Sequence, residues 1–272
     1  MIPNPILQFT LFGQEMKVYM YGVCIAIGIL VCLVVFYIYT KKKGVPSKLQ
    51  DFIFIVAIIS IALGFLFAKL YQAIYGWIEK GTFDFYGSGI TAMGGFIGGA
   101  ATFLVVYFGS AGFVFKGNEK GLHIREFNKI LLCAPCCITI AHAFGRLGCL
   151  CAGCCHGAFV SHEAGHGGLY MHSDGMWGYF VPTQLYESLF LFVLFAVLSY
   201  LYFKRSNITM QVYLIAYGLW RIFIEFFRTD ARGAAILGLY PSQWQSVVFI
   251  AGGVVMLLIY IIKKIPLVLP KE

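Results

Sequence analysis

An all-α integral membrane fold of seven transmembrane helices, with the N-terminus outside and the C-terminus cytoplasmic, is what this sequence predicts, and three observations carry it. Of 272 residues, 60% are hydrophobic and 12% charged, far too apolar a composition for a water-soluble domain of this size. The apolar residues gather into seven stretches, each close to the roughly 20 residues that cross a hydrocarbon core of about 30 Å as helix. Lysine and arginine cluster on alternate connections between those stretches, as they do on cytoplasmic loops.

The first span lies near 18–40. Its apolar run is too long for a cleaved signal peptide and the preceding MIPNPILQFTLFGQEMK lacks a basic start, so it is expected to stay in the mature chain. Lys41, Lys42, Lys43 and Lys48 follow it. The second span, 51–77, contains Lys69, and the third, 90–109, opens with AMGGFIGGA. There Gly94 with Gly98, and Gly95 with Gly99, form two small-xxx-small pairs; close helix packing and close approach of backbone to a ligand are both open readings. Lys116, Lys120, Arg125 and Lys129 come next.

The fourth span, 127–148, sets His142 and Arg146 one helical turn apart and leads into a segment, 149–183, without a single Lys or Arg. The fifth, 184–203, begins with Gln184, Tyr186 and Glu187 and ends at Lys204 and Arg205. The sixth, 208–228, carries Arg221, Glu225 and Arg228 along one helix face. The seventh, 243–262, precedes Lys263, Lys264 and Lys271. These clusters hold thirteen of the 20 Lys and Arg, against Lys17, Lys80, Arg228 and Arg232 on the other face. The net charge of +8 is thus a matter of membrane topology and calls for no nucleic acid. The chain, 1–272, reads as one membrane domain with 149–183 as an extracytoplasmic insertion, a length at which a connection is usually functional.

Ionisable groups within membrane spans are functional candidates that need partners. Arg146, Arg221 and Arg228 outnumber Glu187 and Glu225, which leaves positive charge for an anion to balance. The fork of an arginine fits phosphate oxygens bidentately, and a phospholipid headgroup is the abundant anion at that place.

Six motifs run in order along the chain: Tyr21-Gly22-Val23, GITAMGGFIGG, GRLGCLCAGCCHG, PTQLYES, YGLWRIFIEFFRTD and PSQWQSVVFIAGG. In this order and spacing they resemble the prolipoprotein diacylglyceryl transferases of bacteria, over about residues 18 to 262. The most specific pieces are Gly-Arg-x-Gly at 145–148 and the block 217–228. The resemblance implies transfer of the diacylglyceryl group of phosphatidylglycerol to the lipobox cysteine thiol in a prolipoprotein signal peptide, within the bacterial plasma membrane and without a cofactor. It places Arg146 and Arg221 on essential arginines and Glu225 on the acid beside the second. Tyr21, Gly157, Gln184, Tyr186 and Glu187 match further motif positions, and Gly94, Gly95 and Arg228 join them as expected substrate-binding residues.

Three positions depart from the family pattern. Met93 stands where many members have a histidine, Cys149 where an asparagine follows Arg-x-Gly, and Val181 where a histidine precedes the Pro-x-Gln-Leu-Tyr-Glu motif. A thioether cannot accept a proton, so His142 and His156, with Glu187 behind them, are the candidates for that task. A positive site that lowers the thiol pKa of the substrate reduces the need for a base.

Other readings attach to the 149–183 segment. Cys149, Cys151, Cys154, Cys155 and His156 include one C-x₂-C, a weak metal signal without a second pair, and a structural role is favoured, with no metal ligand assigned. HEAGH at 162–166 matches H-E-x-x-H, with His172 further on, but Gly165, Gly167 and Gly168 oppose the helix that a zinc protease needs. Beside the transferase stand a non-catalytic lipid- or lipoprotein-binding relative, a zinc-binding membrane protein and, with Lys69 and Arg146 lining a path, a carrier.

Overall fold

The computed structural model describes residues 4–11, 14–87, 89–173, 175–229 and 238–267; Arg232 and Lys271 of the charge pattern lie outside them. Seven α-helices occur among these residues: α1 (Met20–Lys42), α2 (Ser47–Lys80), α3 (Ala92–Val114), α4 (Leu122–Ala152), α5 (Thr183–Phe203), α6 (Thr209–Glu225) and α7 (Pro241–Ile262). Each matches one expected span. Six of them, all but α6, are long and apolar enough to cross a membrane, while the 17 residues of α6 sit at the short end of spanning length. Only 11–50% of the most apolar window of each of the six is buried, so their apolar faces remain for lipid. This is an integral membrane protein.

Five short strands were not foreseen. β1 (Leu7–Leu11) and β2 (Gln14–Val18) form an antiparallel hairpin ahead of α1. β3 (Phe159–Ser161), β4 (Leu169–Ser173) and β5 (Met176–Phe180) make an antiparallel sheet in the order β3-β5-β4. The insertion after α4 therefore carries its own folded structure, and it starts later than 149 because α4 runs on to Ala152.

The chain divides into two compact units, Tyr39–Ile130 and the remainder, Met1–Ile38 with Leu131–Glu272. In the first, α2 and α3 pack through glycines. A Cβ on Gly94 would come within 2.5 Å of Tyr71 Cβ, and one on Gly98 within 2.3 Å of Phe67 Cβ, so the helices approach at a distance only hydrogen permits. Lys69 donates to the Tyr86 carbonyl at 3.2 Å and faces the Phe85 ring at 5.6 Å, which satisfies its ammonium locally. The fully buried Tyr107 donates to the His123 carbonyl at 2.8 Å.

In the other unit α1 runs antiparallel to α4. A Cβ on Gly28 would meet Ala141 O at 3.0 Å, and one on Gly148 would meet Tyr21 Cδ2 at 3.1 Å. Two further glycines seat α6 on α7: Gly218 against Ile250 and Ser246, Gly253 against Ile215 and Leu214. Ser188 of α5 donates to Ala143 O of α4 at 3.0 Å, and Phe190 stacks on Trp220 with centroids 4.3 Å apart. Helices α4, α5 and α6 are thereby held side by side with their ionisable residues facing one another.

Candidate functional site

Helical periodicity builds the site. On α6, Tyr217, Arg221 and Glu225 follow at intervals of four and share a face; on α4, His142 and Arg146 do the same. Glu187 enters from the first turns of α5, with its neighbour Ser188 fixed to the α4 backbone.

Glu187 is the centre of the arrangement. Its Oε2 lies 2.9 Å from Arg146 Nε, its Oε1 lies 3.9 Å from His142 Nε2, and the same Oε1 accepts the Tyr217 hydroxyl at 3.2 Å. The His142 and Tyr217 rings meet edge to face at 5.2 Å. A second pair stands beside the first, Arg221 Nη1 at 3.3 Å from Glu225 Oε2. Both carboxylates have 2% of their side-chain surface exposed, whereas Arg146 keeps 14% and Arg221 12%. Each carboxylate contacts one guanidinium nitrogen, and a five-donor fork has further N–H groups to offer an anion. With Arg228, three guanidiniums meet two carboxylates, an excess of one positive charge.

Arg228 is buried and joins Gly157 through an antiparallel backbone bridge. Gly157 is required there: a Cβ would fall 2.3 Å from Phe227 O and 2.9 Å from Val181 Cβ. Beside it, His156 is buried with Nδ1 2.7 Å from Gly157 O and its ring 4.6 Å from that of Phe180. Gln184, also buried, donates from Nε2 to the Cys154 carbonyl at 2.7 Å. Tyr21 packs on Gly148 and lies in the electrostatic surroundings of Cys149 and Arg146. Tyr186 faces away from this centre, on an apolar groove of about 500 Å³ between α5 and α6 that Leu189, Phe190, Trp220 and Phe223 also line.

The sequence-derived candidates of this unit other than Tyr186 lie in one region, with two adjustments. Glu187, expected behind a histidine, is itself the common partner of Arg146 and His142. Tyr217 was missed, although its place four residues before Arg221 announced it. Gly94 and Gly95 belong to the other unit, where they face Tyr71 and Ala68 of α2, the packing reading of that motif.

The cysteine-rich stretch has a geometry of its own. Helix α4 ends in a Schellman turn, with Cys154 N–H donating to Cys149 O and Gly153 N–H to Leu150 O, both at 3.2 Å, and Gly153 at φ 72°. Hydrogen bonds from the Cys149 and Cys154 thiols hold the Cys155 thiol below its usual pKa, and Arg146 and Arg228 act in the same direction. HEAGH forms no helix: Gly165, Gly167 and Gly168 have φ of 99°, 85° and 80°, and His162 lies 3.3 Å from the Trp177 carbonyl. His162 and His166 are thus not placed as a zinc protease places its pair.

A family model described as prolipoprotein diacylglyceryl transferase matches residues 8–259. The chain is 31% identical to phosphatidylglycerol–prolipoprotein diacylglyceryl transferase 2 of Clostridium perfringens over 267 residues, 94% of each chain. It is 32% identical to the phosphatidylglycerol–prolipoprotein diacylglyceryl transferase of Clostridium tetani, over 92% of this chain and 95% of the relative. The corresponding protein of Clostridioides difficile is 30% identical over 91% and 92%.

Proposed function

The chain belongs to the prolipoprotein diacylglyceryl transferase family, and from that premise we propose that it moves the diacylglyceryl group of phosphatidylglycerol onto the lipobox cysteine of a prolipoprotein. A carbon–sulfur bond forms as the bond between the glyceryl carbon and the phosphate ester oxygen breaks. The thiol proton passes to a base, and glycerol phosphate leaves. The nucleophile is the peptide's, and the leaving group is already present in the phosphodiester.

One observation carries this reading: Arg146 and Arg221, from different helices, are each held by a buried carboxylate while 14% and 12% of their own side-chain surface stays exposed. Negative charge grows on the leaving phosphate oxygens, and guanidiniums already fixed in place stabilise it without reorganising. The groove between α5 and α6, with Tyr186 at its wall, suits an acyl chain beside that headgroup. Glu225 orients Arg221, while Tyr21, Gln184, Gly157 and Arg228 shape the site's wall.

His142 is the better proton acceptor of the two histidines. It retains 28% of its side-chain surface, and its Nε2 stands 3.9 Å from Glu187 Oε1. His156 is sealed against Phe180 and Gly157 O, a structural position. The basic connections lie in the cytoplasm on this reading, with the site and the β3–β5 sheet on the extracytoplasmic side of the plasma membrane.

The test is direct. Purified protein in phosphatidylglycerol-containing micelles receives a synthetic lipobox peptide, and mass spectrometry follows diacylglyceryl addition while released glycerol phosphate is assayed. Product that disappears in Arg221→Ala is the expected result. A folded wild type that makes none, together with activity gained in Met93→His, would instead support a lipid- or lipoprotein-binding relative.

A further inference from the structure

Transfer chemistry leaves the cysteines at the end of α4 without a task, yet the fold gathers three of them. The Sγ atoms of Cys149, Cys154 and Cys155 all lie within 4.8 Å of one another. The Schellman turn returns Cys154 to the last turn of α4, where Cys149 sits. Cys155 then takes φ 63°, a left-handed conformation that a non-glycine residue adopts at a cost. Gly153 has its own reason to be glycine, since a Cβ there would fall 2.1 Å from His172 O.

Three side chains then lock the turn at three successive carbonyls. Ser173 donates to Gly153 O at 2.6 Å, Gln184 to Cys154 O at 2.7 Å and Thr183 to Cys155 O at 2.8 Å. The C-x₂-C spacing proves to be a false lead, because the sulfurs that gather are those of Cys149, Cys154 and Cys155, without Cys151. What assembles the cluster is the turn, which a spacing rule does not read.

We propose that Cys149, Cys154 and Cys155 form a binding site for a thiophilic metal ion, with zinc(II) as its representative. Three sulfurs about 2.3 Å from a common tetrahedral zinc stand roughly 3.8 Å apart, so small side-chain rotations close the present arrangement. Each thiol gives its proton to solvent on binding, and three thiolates with a divalent ion carry one net negative charge. Arg146 and Arg228, both in the electrostatic surroundings of Cys155, offset part of it. The ion enters through Cys154, the exposed member, from a pocket of about 440 Å³ that Cys154, Cys155, His156 and His172 line; its fourth position opens there. Because Cys149 lies three residues after Arg146, a bound ion also fixes the helix end that presents that guanidinium.

The experiment uses the full chain in detergent, reduced with a phosphine, stripped with a chelator and checked by thiol count. Zinc(II) is titrated against a chromogenic chelator, and cobalt(II) serves as the absorbing probe. A single saturable equivalent is expected, with cobalt giving thiolate charge-transfer and tetrahedral d–d bands. Cys149→Ser and Cys154→Ser should each abolish those bands and weaken zinc at least tenfold, while Cys133→Ser, in the pair with Cys137 further back in α4, should keep both. Reduced, folded parent protein that binds no metal saturably overturns the proposal, whatever the variants do. So does binding that survives both Cys149→Ser and Cys154→Ser, or a disulfide within the trio that persists under the reductant. None of these readouts depends on transferase activity.

Discussion

Nε of Arg146 on α4 stands 2.9 Å from Oε2 of Glu187 on α5, a contact between two ions that the surrounding apolar helices would each reject alone. Removing one partner leaves the other buried without a counter-charge. Glu187→Gln keeps the shape and the Tyr217 contact but not the charge. It is expected to destabilise the protein by on the order of 3 kcal/mol, read as a lower unfolding midpoint in detergent, and to reduce transfer sharply. Arg146→Lys keeps the charge but loses the planar fork; most of its stability should remain while activity falls. Equal loss of both quantities in the two variants would show that the pair only holds helices together.

Arg221 and Glu225 divide the work differently. Arg221→Ala removes a donor aimed at the charge that develops on phosphate and is expected to lower kcat by about 10²–10³. Glu225→Gln leaves the guanidinium in place with a weaker anchor, so its loss should be smaller. Initial rates with phosphatidylglycerol and peptide varied separately decide the matter. A change confined to KM for the lipid would make Arg221 a ground-state headgroup contact instead.

The sequence announces this part of the molecule because helical spacing is a short-range rule. His142 with Arg146, and Arg221 with Glu225, are four residues apart, and the fold has only to present those faces. That Glu187 serves both Arg146 and His142 depends on how α5 is set against α4, which Ser188 and its bond to Ala143 O decide; no periodicity reports that. The β3–β5–β4 sheet escaped for a related reason. Its strands are only three to five residues long, so alternation has too little length to register. In the cysteine stretch, spacing pointed to Cys151 with Cys154, and the left-handed Gly153 joined Cys149 to Cys154 instead.

The segment 162–166 supplies a prediction about what does not matter. Its backbone turns through left-handed glycines, so its two histidines are not presented as a helix would present them. His162→Ala and His166→Ala are expected to retain full transferase activity, assayed as peptide mass shift. Loss of activity on both changes, with restoration by added zinc, would contradict the reading.

Gly157 gives the strictest test of how the site's wall is built. A Cβ there meets Phe227 O at 2.3 Å, and this atom belongs to the backbone, so it cannot rotate aside. Gly157→Ala must therefore open the Gly157–Arg228 bridge and displace the chain as it leaves α6, just beyond Glu225. A destabilisation of about 1–3 kcal/mol is expected from such overpacking, together with a fall in kcat larger than the stability loss explains at the assay temperature. Gly252→Ala on α7 is the control, since nothing lies within 4 Å of the added atom; it should keep activity and gain up to about 1 kcal/mol in helix propensity. Full activity in Gly157→Ala would mean that Arg228 acts through its charge alone, from more than one position, and that the bridge is only a support for the β3–β5–β4 sheet.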